Sequence, residues 1–345
     1  MSKFKTMVGA AAFFLGIISA PAMTQAADPI WAYVPETISP EWGEFFENNG
    51  ELRERKVPAA DDTAGWEALQ EAVRARQKPV AESLAKAFGL TMRKRVVGGI
   101  PTVEITPVNS TRNDRIGVYV HGGAYIQGAA KNPQAVLFSA MTGLRVISIE
   151  YTLAPHAKWR ETTAQVITVF SALAEDGYPP SHTVLGGDSA GGGLAAGSVL
   201  RMRDEGMEMP AALVLWSPWA DISETGDTYL TLRDAEVSFT YKNVLGPAAL
   251  VYADPQDHRH PYVSPVYGDF NKGFPPTLIQ GGIREIFLSN FVRLYQALDQ
   301  TGQKVKLDLY EGMPHVFMAQ LPETVEAKTA LEKTGDWISG HIKQD

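Results

Sequence analysis

The chain contains no cysteine. This excludes disulfides, a thiolate nucleophile, iron–sulfur clusters, cysteine-ligated zinc and a lipid-modified N-terminal cysteine. A surplus of positive charge is missing too: 31 Lys and Arg stand against 39 Asp and Glu, a formal net charge of −8. No basic excess is left for a polyanion, which argues against a nucleic-acid partner. Internal repeats and low-complexity tracts are lacking. What is present is length and apolar content, 345 residues of which 45% are hydrophobic, enough for a large core without covalent cross-links.

The first residues carry Lys3 and Lys5, then an apolar run over residues 7–20, then Pro21 and small residues ending in Ala26 and Ala27. This three-part layout is that of a secretory signal peptide spanning residues 1–26, and the apolar run falls short of the about 20 residues that cross a membrane. The mature protein is therefore expected to be exported, to a periplasm or outside the cell, with no membrane span of its own.

Residues 27–92 form an N-terminal region with helical periodicity: Trp66, Leu69 and Val73, then Val80, Leu84 and Phe88 beyond Pro79, with Asp61 and Asp62 available as caps. Pro79 is expected to break or kink the run. We read this region as a helical layer that packs on the main domain and roofs its active site.

From residue 93 to 345 the pattern alternates. Strand signals at 93–97, 102–105, 116–120, 146–151, 184–186, 212–216, 277–281 and 305–310 are interleaved with helical patterns at 135–141, 162–173, 191–203, 287–298 and 323–338. Such alternation predicts a mostly parallel, doubly wound α/β sheet of eight strands with helices on both faces. Its active site should lie at the carboxyl ends of the strands. The rhythm stops over residues 220–263, a polar, Asp-, Gly- and Pro-rich insertion too long for an ordinary loop and expected to act as a lid.

The strand at 184–186 runs into Gly187, Asp188, Ser189, Ala190 and Gly191, a G-x-S-x-G turn that leads into a helix. Strand, sharp turn and helix present the hydroxyl of Ser189 as a nucleophile, with glycines where a Cβ would strike the neighbouring strand or helix. Attack on a carbonyl also needs a base, a group that orients it, and donors for the oxyanion. His315 directly follows the last strand and fits the base. Glu285, at the end of the preceding strand, fits the orienting acid, with Asp308 as a rival that lies inside a strand. His121-Gly122-Gly123-Ala124-Tyr125 follows the strand at 116–120, and the amides of Gly122, Gly123 and Ala190 are the expected oxyanion donors. Asp188 is read as structural. Tyr125, Trp216 and Trp219 are candidate substrate contacts, although packing is the simpler role for the tryptophans. Asp257, His258 and His260 have the composition of a metal site but stand in a polar segment where histidines meet solvent, so no metal is expected.

Taken together, HGGAY at His121, YTLAP at Tyr151, GDSAGGG at Gly187, SPW at Ser217, SPVYGD at Ser264, GGIREIFLSN at Gly281 and GMPHVF at Gly312 resemble the hormone-sensitive-lipase-like esterases of the α/β-hydrolase superfamily, in their bacterial GDSAGG branch. The set is especially similar to the subgroup with ε-lactone hydrolases and short-chain esterases. The resemblance implies the α/β-hydrolase fold with a helical cap. It implies Ser189 as nucleophile, Glu285 as acid, His315 as base and Gly122, Gly123 and Ala190 at the oxyanion hole. Three departures stand out: Ala124 in place of a third glycine, Thr152 in place of the arginine of YRLAP, and Ser289 and Asn290 where an aspartate is usual.

The expectation is a serine carboxylic-ester hydrolase acting through an acyl-enzyme on small, fairly apolar esters or lactones, with no cofactor. Acyl transfer on the same triad, or small-molecule binding without catalysis, are the alternatives, and a homo-oligomer is compatible with the sequence.

Overall fold

The computed structural model describes residues 30–49, 55–109 and 114–342. The expected signal segment, residues 1–26, lies outside the described residues.

Eight strands among these form one sheet: β1 (Leu90–Val97), β2 (Ile100–Pro107), β3 (Ile116–Val120), β4 (Arg145–Ile149), β5 (Thr183–Asp188), β6 (Ala212–Trp216), β7 (Thr277–Gly282) and β8 (Val305–Tyr310). Their spatial order is β1-β2-β4-β3-β5-β6-β7-β8. The β1–β2 and β2–β4 pairs are antiparallel, and every pair from β4 through β3 to β8 is parallel. The helices are α1 (Glu41–Asn49), α2 (Thr63–Ala87), α3 (Pro133–Thr142), α4 (Trp159–Glu175), α5 (Ser189–Asp204), α6 (Thr228–Thr231), α7 (Gly246–Tyr252), α8 (Leu288–Asp299), α9 (Phe317–Gln320) and α10 (Val325–Ser339).

Every residue of β3, β5, β6 and β7 is buried, as parallel strands covered on both faces must be. The pleat then divides their side chains between two cores. Val118, Val120, Leu185, Leu213, Leu215 and Ile279 join the core shared with α4, α5 and α8, whereas Tyr119, Val184, Val214, Trp216 and Leu278 join that of α3 and α10.

The N-terminal region departs from the expected pattern in two ways. Helix α2 runs unbroken from Thr63 to Ala87 across Pro79. Both Pro79 and Ala75, whose carbonyl loses its helical partner there, are exposed, so water can take up the freed acceptor. The buried residues beyond Pro79 are Ala81 and Ala85, whereas Val80 is 48% and Phe88 40% exposed. Small side chains on that face let α2 approach α3, with which it packs. At the start of the helix, Asp62 caps it by accepting from the Gly65 amide at 2.9 Å.

Segment 30–49 lies against the C-terminal part of the chain. The Arg284 guanidinium donates to the carbonyls of Ile30, Trp31 and Tyr33, and Glu326 accepts from the amide and hydroxyl of Ser39. The insertion holds α6 and α7, with one wide helical turn (Tyr241–Leu245) leading into α7.

Candidate active site

Strand β5 ends at Asp188 and helix α5 begins at Ser189, so the chain turns from extended to helical across one peptide bond. Ser189 takes φ +53° at that turn. A Cβ on Gly187 would stand 2.6 Å from the Gly191 carbonyl oxygen, and one on Gly191 would overlap the Val120 carbonyl oxygen. Both glycines of the elbow are therefore required by close backbone approach.

His315 follows β8, and its Nδ1 lies 2.6 Å from Glu285 Oε2. The partner of Nδ1 fixes the tautomer: the proton sits on Nδ1, and Nε2 is left as the free base. Glu285 is fully buried just beyond β7, and its Oε1 accepts from the Gly282 amide and the Ser217 hydroxyl, each at 2.7 Å. Burial works against a charged imidazole at His315, but Glu285 outweighs it, helped by Glu236 and Asp188, and the net shift is above the ordinary histidine value. The rings of Phe239 and Phe287 stand edge-on to the imidazole, with centroids at 4.9 and 5.3 Å.

Ser189, His315, Gly122, Gly123 and Ala124 line one cavity of about 440 Å³. The N-terminal region supplies Phe45, Asn49, Arg55, Arg76, Gln77 and Val80 to its wall, and the insertion supplies Val237, Ser238, Phe239, Val244 and Leu245.

The oxyanion expectation needs one correction. The Gly122 amide donates to Asp188 Oδ1 at 3.0 Å, the same oxygen that accepts from the Tyr119 hydroxyl at 2.9 Å. That N–H is therefore already engaged. Among the described residues no hydrogen bond engages the amides of Gly123 and Ala124, and Ala190 lies in the first turn of α5, where N–H groups lack an intrahelical acceptor. Asp188 is thus the anchor of the glycine loop, in keeping with its expected structural role.

The expected substrate contacts are also corrected. Tyr125, Trp216 and Trp219 are buried and do not line the cavity. Strand parity turns Trp216 into the core of α3 and α10, where its indole N–H reaches Gln280 and Thr334. Trp219 stacks between Tyr125 and Phe287, one layer behind His315.

The other expected positions resolve as follows. Asp308 holds Lys333 at 2.6 Å and has no contact with His315. Asp257 accepts from the Trp159 indole, His260 packs on the same Trp159 ring, and His258 Nε2 meets the Ala253 carbonyl. Thr152 forms a reciprocal pair with Gln165. Ser289 and Asn290 bond to Thr228 and to the Asp221 amide, which ties α8 to the insertion.

Two residues escaped the sequence reading. Ser217, at φ +46°, gives its hydroxyl hydrogen to Glu285 and accepts the Val316 amide at 3.0 Å. Its only signal was the SPW triplet. Glu236 is buried, with Oε1 accepting from the Ser238 amide at 2.8 Å and Oε2 from the Ile286 amide at 3.3 Å. Burial raises its carboxyl above the usual range, opposed by His315 and reinforced by Glu285. Nothing in the sequence separated it from the surface acids of a polar insertion.

Non-glycine residues with positive φ among the described residues are Ala124, Tyr125, Ser189, Ser217 and Val316. Each such conformation costs of order 1–3 kcal/mol, and all five gather at this cavity or directly behind it.

Residues 117–319 match a family described as alpha/beta hydrolase fold. An acetyl-hydrolase of Streptomyces hygroscopicus is 33% identical over 235 residues, 67% of this chain and 78% of that protein. A crystal structure of an esterase superposes with a TM-score of 0.82 at 27% identity, covering 96% of this chain and 99% of that one. The crystal structure of an esterase from the bacterial hormone-sensitive lipase family gives a TM-score of 0.70 at 28% identity, over 81% and 98% of the two chains.

Proposed function

The chain belongs to the hormone-sensitive-lipase-like esterases of the α/β-hydrolase superfamily, carboxylesterase-like hydrolases, and from that premise we propose that it cleaves small carboxylic esters, lactones included, through an acyl-enzyme on Ser189. The observation that carries this reading is the 2.6 Å contact between His315 Nδ1 and Glu285 Oε2, with Ser189 and His315 on the wall of one cavity.

In this mechanism the Ser189 oxygen bonds to the ester carbonyl carbon as its proton passes to His315 Nε2. Glu285 holds the Nδ1 proton and stabilises the imidazolium that results. The carbonyl oxygen, now an anion, is met by the amides of Gly123, Ala124 and Ala190, each donor of this kind contributing about 10²–10³ in rate. Collapse expels the alcohol, which takes the proton from Nε2. Water then repeats the sequence on the acyl-enzyme and releases the acid. The N-terminal region and the 220–263 insertion act as the lid that limits water and sizes the acyl pocket, and residues 1–26 act as the export signal.

The test is hydrolysis of a p-nitrophenyl ester series from acetate to laurate by the mature chain, with Ser189→Ala and His315→Ala in parallel. Turnover that disappears in both variants supports the triad, and its persistence in Ser189→Ala sinks it. N-terminal sequencing of the exported protein tests the signal.

A further inference from the structure

The cavity wall carries two cations that no acid among the described residues pairs. Arg55 and Arg76 both line it, and among the described residues neither makes a hydrogen bond or an ion pair. The Arg55 Nε is buried without an acceptor. Partly buried arginines elsewhere among the described residues are matched, Arg95 by Glu104 and Asp176, Arg293 by Asp221 and Arg284 by three backbone carbonyls, whereas the exposed Arg93 and Arg259 make no ion pair. Asp188 is the acid on the described cavity wall, and its Oδ1 is already taken by Tyr119 and Gly122.

Arg55 is partly buried and Arg76 exposed, and an anion that joins them relieves the desolvation of the first and the repulsion between the two. The same strain shows in Arg55, whose basicity is lowered by burial and further by Arg76. An oxyanion fits this set, because the planar fork of arginine pairs with carboxylate oxygens in a bidentate manner.

We propose that Arg55 and Arg76 form an anion-recognition site on the N-terminal wall of the cavity, so that the preferred ester carries an ionised carboxylate remote from the scissile bond, as a half-ester of a dicarboxylic acid does. This rests on the ester-hydrolase reading above and replaces the expectation of a fairly apolar substrate at one end of the cavity.

The experiment separates binding from turnover. The Ser189→Ala protein is titrated calorimetrically with monomethyl and dimethyl esters of the same dicarboxylic acid, over a series of chain lengths and at low and high salt. The half-ester is expected to bind about tenfold more tightly than the diester, by an advantage that shrinks with salt. Arg55→Ala or Arg76→Ala, added to Ser189→Ala, should erase that ratio, and Arg55→Lys should restore part of it. Equal binding of half-ester and diester at every length overturns the site, as does a ratio that survives both alanine variants. Tighter binding of a phosphate-bearing ester than of any half-ester overturns the carboxylate assignment. Turnover by the unsubstituted enzyme reports on the other reading: salt-dependent half-ester binding with no hydrolysis of any ester supports the anion site while sinking the hydrolase mechanism.

Discussion

Ser217 donates its hydroxyl hydrogen to Glu285 Oε1 at 2.7 Å, and its own Oγ accepts the amide of Val316, the residue after His315, at 3.0 Å. One hydroxyl beyond β6 therefore fixes both the carboxylate beyond β7 and the loop beyond β8. Removing it leaves a buried amide without an acceptor and takes one of three hydrogen-bond partners from the Glu285 carboxylate. Ser217→Ala is expected to lower kcat about tenfold with a smaller change in KM, and to cost about 1–3 kcal/mol of stability. Steady-state kinetics and denaturant unfolding check both numbers. An unchanged kcat would remove Ser217 from the positioning of the pair.

Asp188 joins the nucleophile elbow to the glycine loop. Asp188→Ala strands the Tyr119 hydroxyl and the Gly122 amide in the interior, and a loss of about 2–5 kcal/mol is expected. Because the loop carrying Gly123 and Ala124 is then untethered, kcat should fall by at least about tenfold, a fraction of what one oxyanion donor contributes. Thermal melts alongside kinetics below the melting range distinguish the two effects.

The pH profile follows from His315. Its value is raised in the folded protein, so the imidazolium persists above the ordinary histidine range of about 6.5. The neutral imidazole is the base, and kcat/KM should therefore fall as pH drops through an apparent value higher than that. Glu236 contributes negative charge to this balance, so Glu236→Gln should move the acid limb to lower pH. A limb that stays in place, or moves up, contradicts the electrostatic role of Glu236 even if the variant loses stability.

Gly191→Ala places a methyl against the Val120 carbonyl, backbone against backbone, where no side chain can yield. Either β3 or α5 must shift, and both carry groups of the site. Expression in soluble form should drop, and any folded fraction should show reduced labelling by a fluorophosphonate probe. Gly143→Ala serves as the contrast: at φ +65° with open space around its Cβ, it should cost about 1 kcal/mol and leave labelling intact.

Periodicity and turn chemistry are local properties, and they sufficed for the sheet, because β3 and β6 are apolar runs and β5 and β7 apolar starts that end in glycine turns. Strands 116–120, 212–216 and 305–310 coincide with the expected segments at both ends. Ser189, Glu285 and His315 could be picked out because this architecture delivers function at the carboxyl ends of strands, and each follows one. What the sequence could not decide were contacts between segments far apart in the chain. The engagement of Gly122 with Asp188 spans 66 residues, the hold of Ser217 on Val316 spans 99, and the turn of Trp216 away from the cavity follows from sheet parity. The burial of Glu236 and the placing of Arg55 and Arg76 on the cavity that Ser189 also lines likewise arise only when the N-terminal region and the insertion close over the strand ends. Local pattern selects which residue types can act, but only packing determines which of their polar groups are already satisfied and which remain for a substrate.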